Sequence, residues 1–400
     1  MNLLYLFTMT VFLKGFSFTD AFTMNDEMNL QSALLSGYKS RLRPGTDRTI
    51  PLNVSVSFHL SFIKEFNEHS GKFSVNGVFI LHWYDERLQW DPNSYNGTNR
   101  TILPQNQIWI PNFVNINPYH EVSGLGSDLM TVDIEASGLC RWIPLQTFDV
   151  ICDADVTKYP FDTQYCTLNF ILWEQTRDAV FISISESEVG LSLYKVHGLW
   201  DIVKTQLYTK VNLYNDNEVI VGFWLNRRSL YYTVSLIIPL LSISMLMGFV
   251  FLLPPGSGER VGFITTVLLS YIVFLTIIQN KLPESSEPNI SVIGYFLVAC
   301  VMNGSITTVC VIVSLRFHTC SGINDPIPPY LARLAKCRSK LKVQPFAVDL
   351  PDSKSVSLTE DEDFPITWSD VGAGFDKICL TVCAIQCVVT TLIYLGIVCF

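Results

Sequence analysis

Residues 259–280 read ERVGFITTVLLSYIVFLTIIQN, and 20 residues without a charge lie between Arg260 and Lys281. About 20 apolar residues rising about 1.5 Å each span the hydrocarbon layer of a bilayer, so this run crosses a membrane as a helix. Glu259, Gly262, Thr266, Leu269, Val273, Thr276 and Asn280 follow one another at spacings of three or four, which places them in one stripe. The other faces hold Val267, Leu268, Tyr271, Ile272, Phe274, Leu275 and Ile278. Polar ends with an apolar middle suit a pore lining: hydroxyls and a carboxylate replace water around an ion, and rings of Leu269 and Val273 close the path by dewetting. Taken singly, Thr266 or Thr276 reads first as an interhelical hydrogen bond. The whole stripe in register favours the pore.

Three more uncharged runs flank this one: 30 residues between Arg228 and Glu259, 28 between Glu287 and Arg316, and 23 after Lys377. With 49% hydrophobic and 16% charged residues, the chain is too apolar for an ordinary soluble enzyme, and four spans are expected. Arg316, Arg333, Lys336, Arg338, Lys340 and Lys342 follow the third span, which puts that loop in the cytoplasm and both the N-terminal part and the C-terminus outside. The apolar run Leu3 to Leu13 reads as a cleaved secretory signal, with an uncleaved ordered segment as the other reading. Pro239 in the first span removes a helical hydrogen bond and sets a kink, either for gating or for structure alone. Beyond the third span, a short basic segment with Leu331 and Leu334 either lies on the membrane surface or is a plain linker, and the acidic run Glu360 to Asp363 is a solvated face.

The external part alternates with a period of two. Val54, Val56, Phe58, Leu60 and Phe62 interleave with Ser55, Ser57, His59 and Ser61, and shorter alternations recur at Val132 to Ala136 and Phe181 to Ser185. Leu30, Leu34 and Tyr38 stand four apart, as on a short helix before Pro44. The expected fold is an extracellular antiparallel β-sandwich with an N-terminal helix, followed by a four-helix transmembrane bundle. Its divisions fall at 1–21 for the signal, 22–229 for the sandwich, 230–320 for the first three spans, 321–373 for the cytoplasmic loop and 374–400 for the fourth span. Sequons at Asn53, Asn96 and Asn99 suit an exported domain, Asn289 precedes a span closely, and Asn303 matches the pattern inside one. His59, His69, His82, His120, His197 and His318 show no ligand spacing, and no nucleophile and base constellation stands out, so neither an enzyme nor a metal or cofactor site is expected.

Cys152 and Cys166 enclose thirteen residues that include Tyr159-Pro160-Phe161-Asp162. This loop resembles the signature loop of the Cys-loop receptors, the pentameric ligand-gated ion channels. The resemblance runs from near Leu34 to the C-terminus. It includes Trp83 with Asp85, Leu88-Gln89-Trp90, Trp109-Ile110-Pro111, Trp142-Ile143-Pro144, Arg227-Arg228-Ser229-Leu230-Tyr231-Tyr232 and Gly258-Glu259-Arg260, and the nicotinic acetylcholine receptor type is the most similar branch. It implies a Cys152–Cys166 disulfide, a plasma-membrane pentamer with four further identical or homologous subunits, an extracellular small-molecule ligand, permeating monovalent cations and contact with membrane lipid. Nucleic acid is not an expected partner. It also implies an acidic ring at Glu259 and cation selectivity, with Gly262 departing from the usual Ser or Thr.

The resemblance further places a cationic amine between subunits in a box of aromatic rings. Trp173 matches the central tryptophan, although a core residue of the sandwich is the other reading for it. Tyr208 and Tyr214 are the candidates on the capping hairpin. Ile116 stands where a tyrosine is usual, Val78 where the neighbouring face offers a tryptophan, and the hairpin lacks paired adjacent cysteines. Arg141 and Ile143 face the pocket from the complementary side, where Arg141 repels a cation or pairs with an anion. For coupling, Glu68 and Arg228 match an acidic and a basic position. Phe161 and Asp162 press on the linker near Pro283. The resemblance therefore leaves open both an amine-gated cation channel and an accessory subunit without a competent site that binds another small amphiphilic ligand.

Overall fold

Thr23 opens the first helix, α1 (Met24–Leu35), by a reciprocal cap: its backbone N–H donates to the Asp26 carboxylate at 2.9 Å and its hydroxyl accepts from the Asp26 N–H at 3.4 Å. In the computed structural model the described residues are 23–173, 175–212, 217–283, 290–319, 327–336 and 367–399. The segment read as a signal, Tyr214, Asn289 and the Glu360 to Asp363 run lie outside them. Leu30 and Leu34 are buried, as their spacing predicts. Tyr38 lies past the helix end; its hydroxyl donates to the fully buried Asp85 at 2.6 Å, and Asp85 also takes the Arg87 guanidinium at 2.7 Å. A buried carboxylate persists only when paired and hydrogen-bonded, which explains Asp85 in the Trp83 motif.

Eleven strands follow: β1 (Leu52–Asn67), β2 (Lys72–Tyr84), β3 (Arg100–Pro104), β4 (Phe113–Asn115), β5 (Thr131–Glu135), β6 (Leu139–Trp142), β7 (Leu145–Ile151), β8 (Thr163–Leu172), β9 (Val180–Ile184), β10 (Trp200–Val211) and β11 (Asn217–Arg227). A seven-stranded sheet runs β3-β5-β6-β2-β1-β9 with β7 also on β2, and a four-stranded sheet runs β10-β11-β8-β4. The inward residues interlock as aromatic edges: Phe79 meets Phe170 of the facing sheet at 4.9 Å, and Phe58 meets Phe223 at 6.4 Å. One expectation needs correction. Phe62 is exposed, not inward, because a register shift between Leu60 and Phe62 turns the strand over by one residue so that Ile63 points in, and a second shift between Ile63 and Glu65 then turns Phe66 in. The sandwich has the expected two sheets, with one parallel pairing, where β9 joins β1.

Gly77 on β2 lies under Phe58. A Cβ there would stand 2.2 Å from the Phe58 ring and 3.0 Å from the His59 carbonyl oxygen, with no slack around a fully buried ring. Gly77→Ala is expected to destabilise the sandwich by about 1–3 kcal/mol through overpacking. Thermal unfolding of the purified protein checks this, and an unchanged midpoint would contradict it.

Contacts divide the chain into two units. One comprises residues 23–154 and Thr163–Asn226; the other takes Asp155–Asp162 together with everything from Arg227 on. Cys152 and Cys166 are bonded within the first unit, whereas the loop tip they bracket belongs with the second. The second unit holds α2 (Leu230–Leu252), α3 (Glu259–Gln279), α4 (Val292–Thr319), α5 (Pro329–Lys336) and α6 (Trp368–Cys399). All but α5 are long and apolar enough to cross a membrane. In α2 a widened turn at Thr233–Ile237 directly precedes Pro239, where the proline withholds its hydrogen bond. The short basic segment forms α5 and packs against α6. The spans contact one another in a ring, α2 to α3 to α4 to α6 and back to α2, so α3 and α6 stand diagonally and α3 keeps a side turned away from the bundle.

Candidate functional site

Gly258 holds φ at +72°, a left-handed conformation that side chains rarely adopt, and α3 starts at the next residue. Glu259 therefore occupies the first helical position, where its charge complements the helix dipole. Along α3, all seven residues Glu259, Gly262, Thr266, Leu269, Val273, Thr276 and Asn280 are exposed, with Leu269 at 60% and Val273 at 48%. On the other faces, Val267, Tyr271 and Ile278 are buried against the bundle and Leu268, Phe274 and Leu275 are half-buried. Ile272 departs from its assignment and is exposed. Thr266 donates to the Gly262 carbonyl at 2.8 Å and Thr276 to the Val273 carbonyl at 2.8 Å, so neither hydroxyl is spent on a neighbouring helix.

The ligand candidates occupy two opposite surfaces of the sandwich. On the outer face of the small sheet, Trp173 follows β8 and is 50% exposed, which excludes a core role; its backbone N–H donates to the Asn112 carbonyl at 2.9 Å. Ile116 lies on the same face, exposed, with its N–H on the Asn169 carbonyl. Tyr208 of β10 is half-buried and reaches Tyr165, close to the other end of β8 from Trp173. The structure thus does not bring Tyr208 and Trp173 together. Burial and the Tyr208 hydrogen bond push the Tyr165 hydroxyl up to about 12, so it stays protonated. Tyr165 also lies 4.3 Å from Trp224, over which Lys204 sits at 5.0 Å.

Val78, Arg141 and Ile143 lie on the outer face of the large sheet. Arg141 pairs with Asp133 at 2.9 Å, and Asp133 also binds Arg100 at 2.5 Å, so the Arg141 charge is matched by a carboxylate. Opposite Arg141 in register stands His82, held below its ordinary pKa by burial and by the Arg141 charge. The core separates the two surfaces. A pocket that uses both needs a second copy to bring its large-sheet face to this small-sheet face.

In the second unit, Asp162 is buried and gripped by Arg227, Nε to Oδ1 at 2.7 Å and an Nη to Oδ2 at 2.9 Å. Arg227 also lies over the rings of Tyr159 and Tyr232 at 4.8 and 5.3 Å. The Thr157 carbonyl accepts the Val292 N–H at 3.0 Å, tying the loop tip to the start of α4, while Phe161 is half-buried. Pro283 is half-buried just ahead of the linker, whose next residues lie outside those described. Glu68 is half-buried in the turn after β1, and Arg228 is exposed. The basic residue that holds Asp162 is Arg227, which the sequence did not single out; the signal was present, since Val219, Val221, Phe223 and Leu225 alternate inward along β11 and Arg227 continues their phase. Asn53, Asn96 and Asn99 are exposed. Asn303 lies in α4 and is hydrogen-bonded to Gln386.

Residues 27–229 match the neurotransmitter-gated ion-channel ligand binding domain, and residues 236–333 match the neurotransmitter-gated ion-channel transmembrane region. The chain is 33% identical over 319 residues to acetylcholine receptor subunit beta-like 1 of Drosophila melanogaster, covering 76% of this chain and 60% of the relative. It is 30% identical to the neuronal acetylcholine receptor subunit beta-4 of Gallus gallus over 76% of this chain and 65% of the relative. With the neuronal acetylcholine receptor subunit beta-3 of Rattus norvegicus the identity is 28%, over 75% and 65%. The chain thus spans less than two thirds of the length of these relatives.

Proposed function

The chain belongs to the neurotransmitter-gated ion-channel family, and from that premise we propose that it is a subunit of a pentameric, cation-selective channel of the plasma membrane, opened by a small extracellular molecule. One observation carries this: α3 buries Val267, Tyr271 and Ile278 in its own bundle and turns Glu259, Thr266, Thr276 and Asn280 outward. Of these, the Glu259 carboxylate is the group that lipid penalises most. Five copies around a water-filled axis give them water and ions instead.

Cation selectivity follows from Glu259 at the helix start, since five carboxylates around one mouth attract cations and repel chloride. Glu259→Ala is expected to lower the cation-to-chloride permeability ratio by about tenfold, the low end of what a focused field of one sign does to local ion concentration. Reversal potentials in a salt gradient report the ratio, and an unshifted value would remove Glu259 from the pore.

For the ligand, a cationic amine is supported by Trp173, an exposed ring face at the family's central position, and by the acetylcholine receptor names of the relatives. Ile116 and Val78 favour a second reading, an accessory subunit whose pocket takes a more apolar ligand or none. The full chain expressed alone and recorded during an agonist screen separates the two: current from the homomer eliminates the accessory role.

A further inference from the structure

Glu259 and Arg260 carry opposite charges on adjacent positions of α3, and a helix turns about 100° per residue. The rotation of α3 therefore decides which charge a pore mouth presents. Arg260 is 2% exposed. Its Nε donates to the Leu253 carbonyl at 2.7 Å, one Nη donates to the Ser314 hydroxyl at 3.0 Å, and the other donates to Asp376 at 2.9 Å, with the Phe251 carbonyl at 3.5 Å. Ser314 also donates to Asp376, and His318 Nε2 stands 3.5 Å from the same carboxylate. Each nitrogen of the guanidinium thus has an acceptor, supplied by the end of α2 and by α4 and α6. The one negative charge among these acceptors comes from α6, the helix diagonal to α3.

We propose that Asp376 is a positioning residue for ion selection: by neutralising Arg260 inside the bundle, it keeps a cation away from the mouth and leaves Glu259 as the charge that ions meet. The inference rests on Glu259 being the mouth carboxylate. A buried guanidinium stripped of its anion is driven toward water. The nearest water in the proposed pore is beside Glu259, where five such cations would offset five carboxylates. Asp376 thereby links the outermost contacts of the bundle to the sign of charge at the mouth. Its role differs from simple fold support because removing the Arg260 charge as well should restore selectivity.

The test is the reversal potential of the full-length channel in a salt gradient, with Glu259→Ala recorded alongside. Asp376→Asn is expected to lower the cation-to-chloride permeability ratio about twofold or more, the scale of one unscreened charge several ångströms from the path. Asp376→Glu should keep the wild-type ratio, and the pair Asp376→Asn with Arg260→Gln should return to it. If Glu259→Ala lowers the ratio while Asp376→Asn leaves it unchanged, or if the pair stays as low as the single variant, the inference is overturned and the pore assignment stands. If Glu259→Ala has no effect, both fall. Should Asp376→Asn fail to reach the surface, Ser314→Ala takes its place: it removes one hydrogen bond from Arg260 and spares the ion pair, so a smaller drop is expected and none would overturn the inference.

Discussion

Asp162→Asn is expected to cost the folded protein about 3–5 kcal/mol and to remove most of it from the cell surface. Asp162 is 3% exposed and takes two hydrogen bonds from Arg227, which is itself 4% exposed and lies over two tyrosine rings. An asparagine keeps the shape and loses the charge, so the desolvated guanidinium loses the carboxylate that grips it. Replacing both partners with apolar residues, Asp162→Leu with Arg227→Met, should recover much of the loss because the two charges of the pair are then removed together. Surface biotinylation and thermal unfolding in detergent measure both variants. Wild-type expression and midpoint for Asp162→Asn alone would show that the pair is not holding the loop.

Leu269→Thr is expected to produce a channel that leaks without agonist, or responds at about tenfold lower agonist concentration. Leu269 is 60% exposed on the free side of α3, flanked along the stripe by Thr266 and Val273. An exposed leucine ring excludes water from a narrow path; threonine admits it. Each full leucine side chain is worth about 1.5–3 kcal/mol of preference for a dry setting. With five copies, about 1.4 kcal/mol of the total reaching the closed-to-open equilibrium already shifts it tenfold. Recordings in the absence of ligand, followed by a concentration series, read the effect. An open probability identical to wild type at every concentration would place Leu269 outside the gate.

Both effects trace to residues that differ in how plainly the sequence announced them. The stripe of α3 was legible because helical periodicity is local: seven positions in phase are visible in one window, and burial of the opposite faces follows from the same period. The four spans were legible because each is a long charge-free run, and the strands at Val54 to Leu60, Val132 to Ala136 and Phe181 to Ser185 because a period of two is equally local. Phe62 was not, since a single bulge reverses the phase of a strand without leaving a mark in the alternation itself. Arg227 was passed over for its neighbour because two adjacent arginines look alike until the inward phase of β11 is extended to its last residue. Arg260, Ser314 and Asp376 are separated by 54 and 62 residues, and no pattern within a helix joins them. Trp173 and Tyr208 were grouped by resemblance, yet they stand near different ends of β8, so the aromatic side of the pocket is thinner than their shared identity implied.

The claim on which the channel rests is that one side of α3 faces water when the subunits assemble. Single cysteines placed at Gly262, Thr266, Val273, Thr276, Val267, Tyr271 and Ile278 in the full-length channel, treated with a charged thiol reagent during opening, test it most directly. Rapid block at the first four positions and silence at the last three is the predicted result; rapid modification at positions 267, 271 and 278 with the stripe unreactive would contradict it.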